Sequence, residues 1–487
     1  MTAENLILLC LAVPAIATVL IAMCRQVPNL RETVTLSAAV ILLVCVLGLL
    51  DDVLAGARPS VTLFEVVPGI AIAFTVEPLG MLFGLVASGL WIVNSLYSIG
   101  YMRGNDEPRQ TPFYMCFGIA IASTIGVAFS ANLFTLFLFY EILTLSTYPL
   151  VTHKANDEAV AGGRTYLVLL LGTSMVLLLP AIIWTWVETG TMTFAVGGIL
   201  GEEPNPAIVA ALLFLYAYGI GKAALMPIHF WLPAAMVAPT PVSALLHAVA
   251  VVKAGVFSIV KIVVYVFGIE TLSQSGTAGW LLYVAGGTIL IASIVALKAD
   301  NLKRRLAYST VSQLSYVVLA TAILAPISVV GAAMHIAAHA VSKITLFFAA
   351  GSIYTAAHLT EVSQLNGIGR KMPWTMGAFA IGALSMIGVP PTAGFLSKWY
   401  ILMGAMNTQQ WVAVGIIIAS TLLNAAYFLP VIYAAFFKAP DENSGGHDHG
   451  EAPLPMVIAL TATAAGTILL FFFPAVPLAL SKMLVGG

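Results

Sequence analysis

Charge is scarce in this sequence. Asp, Glu, Lys and Arg make up 8% of 487 residues, against 60% hydrophobic. A soluble domain carries about 25% charged residues, so the scarcity excludes that class and implies a polytopic membrane protein. The net charge of −1 implies neither nucleic acid nor an acidic substrate as a partner. There are only four cysteines, Cys10, Cys24, Cys45 and Cys116, in or at the ends of apolar segments and without CxxC spacing. A disulfide framework and a cysteine metal site are thereby excluded. No nucleotide motif and no haem-type histidine pair occurs, so no redox centre and no cofactor is expected. No arginine interrupts an apolar stretch, which argues against a carrier of small anionic solutes. The first apolar segment has Glu4 before it and Arg25 after it. It lacks the basic start of a signal peptide and reads as a retained span.

What is present is a series of apolar runs long enough to cross a bilayer, which takes about 20 residues each. Fourteen spans are predicted: 5–24, 33–53, 70–101, 113–130, 132–152, 162–187, 206–230, 241–268, 278–298, 305–325, 328–357, 373–403, 410–437 and 453–477. With the N-terminus outside, thirteen basic residues fall in inner loops and only Arg58 and Lys482 fall outside. This asymmetry predicts both termini on the outer side of the cell (inner, plasma) membrane. The longest polar stretch, 438–451, contains GGHDHGE. His447 and His449 could bind a metal, but the stretch reads as a solvated loop.

Six charges sit where charge is costly. Lys222, Lys253, Lys261, Lys343, Lys398 and Glu141 each interrupt an apolar run. A charge at the bilayer centre costs about 2.5–3.5 kcal/mol on insertion scales, and such groups usually mark ion or proton pathways. Within 206–268, Pro227 removes a helical hydrogen bond, and Pro233, Pro239 and Pro241 build a rigid turn. A helix broken at membrane depth is tolerated inside protein or beside a water-filled cavity. Lys222 is placed five residues before this break, and Lys253 near the middle of the next span, with His247 six residues before it. Glu141 is read as the one carboxylate deep within a span and as the partner of Lys222. Thr144 and Tyr148 share its helical face.

A second region repeats the arrangement. His335, His339 and Lys343 follow at i, i+4 and i+8, on one face of a helix. Pro390, Pro391 and Gly394 precede Lys398, which predicts a second broken helix with a lysine beside it. Two such helices suggest an internal repeat. The organisation predicted is an N-terminal three-helix segment (1–112), two inverted five-helix repeats (113–268 with spans 4–8, 278–437 with spans 9–13) and a last loop and helix (438–487). Spans 7 and 12 are the broken ones.

Other readings stand beside these. Lys261 lies about 12 Å of helix rise beyond Lys253, where a lysine can snorkel to the interface. The histidines could be packing residues with satisfied hydrogen bonds. Phe347–Phe348 and Phe471–Phe473 read as lipid-facing. Ser309, Ser312 and Gln313 could line a polar path.

Three stretches resemble one family. APTPVSALLHAVAVVKAG (238–255), LKRRLAYSTVSQLSY (302–316) and GVPPTAGFLSKW (388–399) are similar to the hallmark segments of the antiporter-like subunits. That family includes the large proton-pumping subunits of respiratory complex I, membrane-bound hydrogenase subunits and the large subunits of Mrp-type Na⁺/H⁺ antiporters. The resemblance implies the 14-helix fold with inverted repeats. It also implies proton translocation by Glu141 with Lys222 in one half-channel, Lys253 as the connecting lysine and Lys398 at the end of the other. His247, His335, His339 and Lys343 fall on the family's hydrated central axis. A sequence that stops after span 14 departs from the largest members, and lysine at 398 departs from the middle complex I member. The D-type large subunit of Mrp antiporters fits best, ahead of a complex I or hydrogenase member. The implied partners are other subunits of a hetero-oligomeric membrane complex, including a second large antiporter-like protein. The translocated species is the proton, with Na⁺ the candidate exchanged cation. A purely structural role in such a complex is the rival reading.

Overall fold

The structure is a computed structural model that describes residues 1–201, 204–440 and 450–486. His447 and His449 lie outside the described residues. It is a polytopic all-α membrane protein with one small hairpin. In chain order the main helices are α1 (Ala3–Met23), α2 (Pro28–Leu47), α3 (Pro78–Gly104), α4 (Gln110–Ala128), α5 (Leu133–Val151) and α6 (Asp157–Thr189). Then follow α7 (Pro206–Gly219), α8 (Thr240–Phe267), α9 (Gly279–Lys298), α10 (Leu302–Ala322) and α11 (Pro326–Ala357). The chain continues with α12 (Pro373–Ile387), α13 (Ala393–Asn407), α14 (Trp411–Phe437) and α15 (Leu454–Phe472). Eleven helices among the described residues are long and apolar enough to cross a membrane. The other three predicted spans are the two broken ones and α10, whose basic start and serines make it less apolar.

Local chemistry sets the starts. Asn132, Asn156 and Asn301 cap α5, α6 and α10, each side-chain oxygen accepting a backbone N–H of the first turn. Proline occupies the first position of α2, α3, α7, α11 and α12, where its missing N–H costs nothing. The expected span at 70–101 begins later for that reason. Its first residues form strand β2 (Ile70–Thr75), which pairs antiparallel with β1 (Ser60–Val67) just before it, the chain turning at Gly69 with φ +84°. Phe74 pairs with Ser130, so the hairpin covers the α4–α5 connection.

The arrangement places charge away from lipid. Helices α8 and α11 are enclosed by other helices almost throughout, whereas α1, α2, α14 and α15 expose broad apolar faces. The lysines of α8 and α11 therefore sit inside protein. Phe347 and Phe348, read from sequence as lipid-facing, are fully buried. Phe348 stacks on Tyr97 with ring centroids 3.9 Å apart. Hydropathy cannot tell an apolar position facing lipid from one facing another helix. Phe472 and Phe473 do face outward.

Candidate functional site

The first broken helix unwinds earlier than the prolines suggest. Helix α7 ends at Gly219, and a single tight turn, Gly221–Ala223, carries Lys222. Lys222 thus lies within the break, not five residues before it. Gly219 packs where any side chain would meet the backbone of Leu178, which pins the end of α7. The freed backbone groups find partners. Tyr140 Oη accepts from Lys222 N–H at 3.1 Å, and Gly221 C=O accepts from Trp231 Nε1–H at 3.0 Å. Such re-satisfaction permits irregular backbone at membrane depth.

Lys222 is fully buried, and its Nζ donates to Tyr140 O at 2.8 Å and Thr144 Oγ1 at 2.5 Å. The ammonium also lies 3.1 Å from the centroid of the Tyr140 ring, a cation–π contact. Glu141 is buried on the same helix and interacts with Lys222 electrostatically. The two make no direct salt bridge; the ammonium is held instead by the α5 backbone and Thr144. The Glu141–Lys222 partnership expected from sequence takes the form of an electrostatic interaction without a salt-bridge contact. Gly255 of α8 packs on this turn, and a Cβ there would come 2.6 Å from Lys222 O. Gly255→Val is therefore expected to displace Lys222 and to lower transport more than it lowers the amount of protein, as checked by vesicle assays and blotting.

A line of ionisable groups continues through α8 and α11. His247 sits in a π turn, Leu245–Val249, a local widening of the helix common at functional sites. Both its ring nitrogens are enclosed without a protein hydrogen-bond partner. Lys253 Nζ is 2.5 Å from His339 Nδ1. The His339 and His335 rings stack at 6.0 Å, and His335 Nδ1 is 2.8 Å from Ser397 Oγ. Lys343 Nζ donates to Ser309 Oγ at 2.8 Å, and Tyr427 Oη donates to the same oxygen at 3.0 Å. Asn424 and Gln313 extend this branch.

The second broken helix is made by Gly388–Thr392 between α12 and α13. Lys398 reaches back across the break, where Nζ donates to Met386 O at 2.6 Å and Ile387 O at 3.2 Å. These are the orphan carbonyls of the α12 C-terminus, which favours a cation there. The ammonium lies 4.7 Å from the Tyr316 ring centroid. A cavity of about 250 Å³ lined by Gly388, Phe395, Lys398 and Ile417 adjoins it.

The structure brings Lys253, His339 and His335 into one chain of contacts, which Lys398 meets electrostatically at His335, with Lys343 on a branch. His247 meets that line electrostatically through His339 and Lys343. Sequence reasoning missed Tyr140, Tyr316, Ser397, Asn424 and Tyr427. Ser397, adjacent to Lys398, and Tyr316, the last residue of the 302–316 stretch, lie in quoted motifs and offered a signal. Lys261 is a different case. Instead of snorkelling it is fully buried, 2.5 Å from Glu77 Oε1, and donates to Ser130 O at 2.7 Å. Glu77, directly before the Pro78 start of α3, is thus a buried carboxylate paired with a membrane lysine. Removing one partner of such a pair leaves a buried charge and costs about 3–5 kcal/mol. Glu77→Ala is expected to lower thermal stability, and Glu77→Leu with Lys261→Met to recover most of it. An unstable double variant would count against the pair as a simple staple. Among the described residues no group of three His, Cys, Asp or Glu side chains converges as metal ligands.

Comparison with known proteins places the geometry. Residues 130–424 match the family model described as NADH:quinone oxidoreductase/Mrp antiporter, TM. The chain is 34% identical over 423 residues to NADH-quinone oxidoreductase subunit N of Desulforudis audaxviator, covering 83% of each chain. It is 30% identical over 446 residues to a Na(+)/H(+) antiporter protein of Alkalihalophilus pseudofirmus, covering 84% of this chain and 53% of that one. It superposes on a chain of the Mrp complex from Dietzia sp. with a TM-score of 0.88 at 22% identity, covering 100% and 97% of the two chains. The chain belongs to the NADH:quinone oxidoreductase/Mrp antiporter family of transmembrane subunits.

Proposed function

We propose that this chain is the proton-translocating member of a multisubunit Na⁺/H⁺ antiporter, resembling the D-type large subunit of Mrp complexes. The observation that carries the reading is the line of buried ionisable groups from Lys222 through Lys253 and His339 to Lys398. Buried ammonium groups are expensive, and packing alone gives no reason to place several in one row. A proton enters one half-channel and resides on Lys222, steadied by Glu141. When Glu141 is drawn away, charged Lys222 loses an interaction worth several kcal/mol in a low-dielectric interior, and at about 1.4 kcal/mol per pKa unit it gives the proton up. The proton passes by His247 and Lys253 to His339, His335 and Lys398, with Lys343 beside the path. Water bridges the longer gaps. The two half-channels belong to two five-span blocks of opposite orientation, 113–268 and 278–437. Both termini face outward from the plasma membrane.

A second reading is favoured by the 34% identity to NADH-quinone oxidoreductase subunit N. In it the same groups serve as the proton pump of a redox complex whose electron carriers lie in other subunits. Purifying the intact complex through a tag on this chain and identifying its partners by mass spectrometry separates the two. A second large antiporter-like protein with small hydrophobic subunits supports the antiporter. Co-purifying flavin or iron–sulfur proteins overturn it in favour of the pump.

A further inference from the structure

A cavity of about 290 Å³ lies apart from the Lys222 turn and from Lys398. It sits where the α5–α6 connection, the segment leading into α8, the start of α10 and the end of α11 converge. Tyr101, Lys154, Thr240, Lys303 and Thr360 are among its lining residues. Lys154 is exposed, so the cavity belongs to a water-facing surface. Lys303 Nζ donates to Ala238 O at 2.5 Å. Glu107, half-buried on the loop after α3, interacts electrostatically with both lysines. Burial pushes its carboxyl above the usual range, and Lys154 and Lys303 pull it back.

A polar ladder leads inward from this cavity. Thr240 is the first residue of α8, and Ser243 and His247 follow at i+3 and i+7, on one helical face. The climb is about 10 Å of helix rise. All three are buried. Ser243 Oγ, both His247 ring nitrogens and Ser352 Oγ of the neighbouring α11 are enclosed without protein hydrogen-bond partners. Buried polar groups left unserved by protein are the ones that internal water satisfies. His247 interacts electrostatically with Lys303 at one end of the ladder and with Lys343 at the other.

We propose that this cavity is a separate aqueous access to the central line, passing water and protons along Thr240 and Ser243 to His247, with Lys154, Glu158 and Lys303 as the charged groups that line it. The proposal rests on the reading of that line as a proton path. It adds a connection to one aqueous face at His247, apart from Lys222 and Lys398, so the two halves need not exchange protons only with each other.

The test uses sided membrane vesicles carrying the whole complex, with Cys10, Cys24, Cys45 and Cys116 replaced by alanine. Ser243→Cys is exposed to a small charged methanethiosulfonate from either face, with Lys154→Cys as the marker of the cavity side. A thiol sealed in protein is inert, whereas one reached by water reacts. The expected result is modification from the Lys154 side only, with loss of transport on modification. No modification from that side, under conditions that fully modify Lys154→Cys, overturns the proposal. On the native-cysteine background, Thr240→Val with Ser243→Ala is expected to slow transport several-fold at normal abundance, and an unchanged rate overturns it independently. Labelling does not depend on turnover. Modification of Ser243→Cys alongside wild-type transport by Lys222→Ala would keep the access and sink the reading of the line.

Discussion

Alanine at Glu141 or at Lys222 abolishes proton transport by the assembled complex while leaving the amount of complex unchanged. That is the expected result with the largest effect, and it follows from how Lys222 is held. Its ammonium has two hydrogen bonds, to Tyr140 O and Thr144 Oγ1, and a ring face, but no carboxylate in contact. The neutral partners hold it in place in either protonation state. Glu141 acts through space, so its charge biases the proton on Lys222 without locking it there. Removing Lys222 removes the carrier, and removing Glu141 removes the bias. Thr144→Val leaves both in place and deletes a hydrogen bond to a charged group, worth about 1.5–3 kcal/mol. It is expected to slow transport roughly 10- to 100-fold, since 1.4 kcal/mol is tenfold. Proton uptake in vesicles, with abundance followed by blotting, checks all three. Wild-type rates in both alanine variants would end the proposed role of the pair.

Much of this was legible in the sequence, and the illegible parts share a cause. Span positions follow from local runs of apolar residues, and the histidine–lysine row on α11 follows from helical spacing, so both could be read. Prolines announced the broken helices. They did not announce that the first break begins at Gly219, because that is set by the close approach of α6 around Leu178. Strand β2 was absorbed into the span expected at 70–101 because its residues are apolar, while β1, most of it exposed, lies before that span. Glu77 and Lys261 are far apart in sequence, and nothing local tells either that the other is its partner. Tyr140, Tyr316 and Tyr427 look like ordinary apolar-run aromatics until the fold turns a ring or a hydroxyl toward a lysine or serine. Periodicity reports which face a residue is on, and only packing reports what that face meets.

The second large effect is expected at Lys253, and it separates proton carriage from a structural role. Lys253 Nζ and His339 Nδ1 form the one direct side-chain hydrogen bond between α8 and α11 on the line, among the described residues. If the pair carries protons, Lys253→Ala stops transport and His339→Leu does the same, both at normal assembly. If the pair only holds α8 to α11, loss of transport follows loss of assembled complex. The physical argument favours the first outcome. Among the described residues Lys253 has no acidic partner, only Lys343 as a charged neighbour, so alanine here strands no opposite charge. Truncating it removes a costly buried group from a helix already enclosed on all sides, and a protein freed of that cost does not fall apart. The conservative variant His339→Gln sharpens the test, because a glutamine side chain can accept from Lys253 but cannot relay its proton. Normal assembly with transport lost in His339→Gln assigns the link to proton transfer, and transport retained there assigns it to packing.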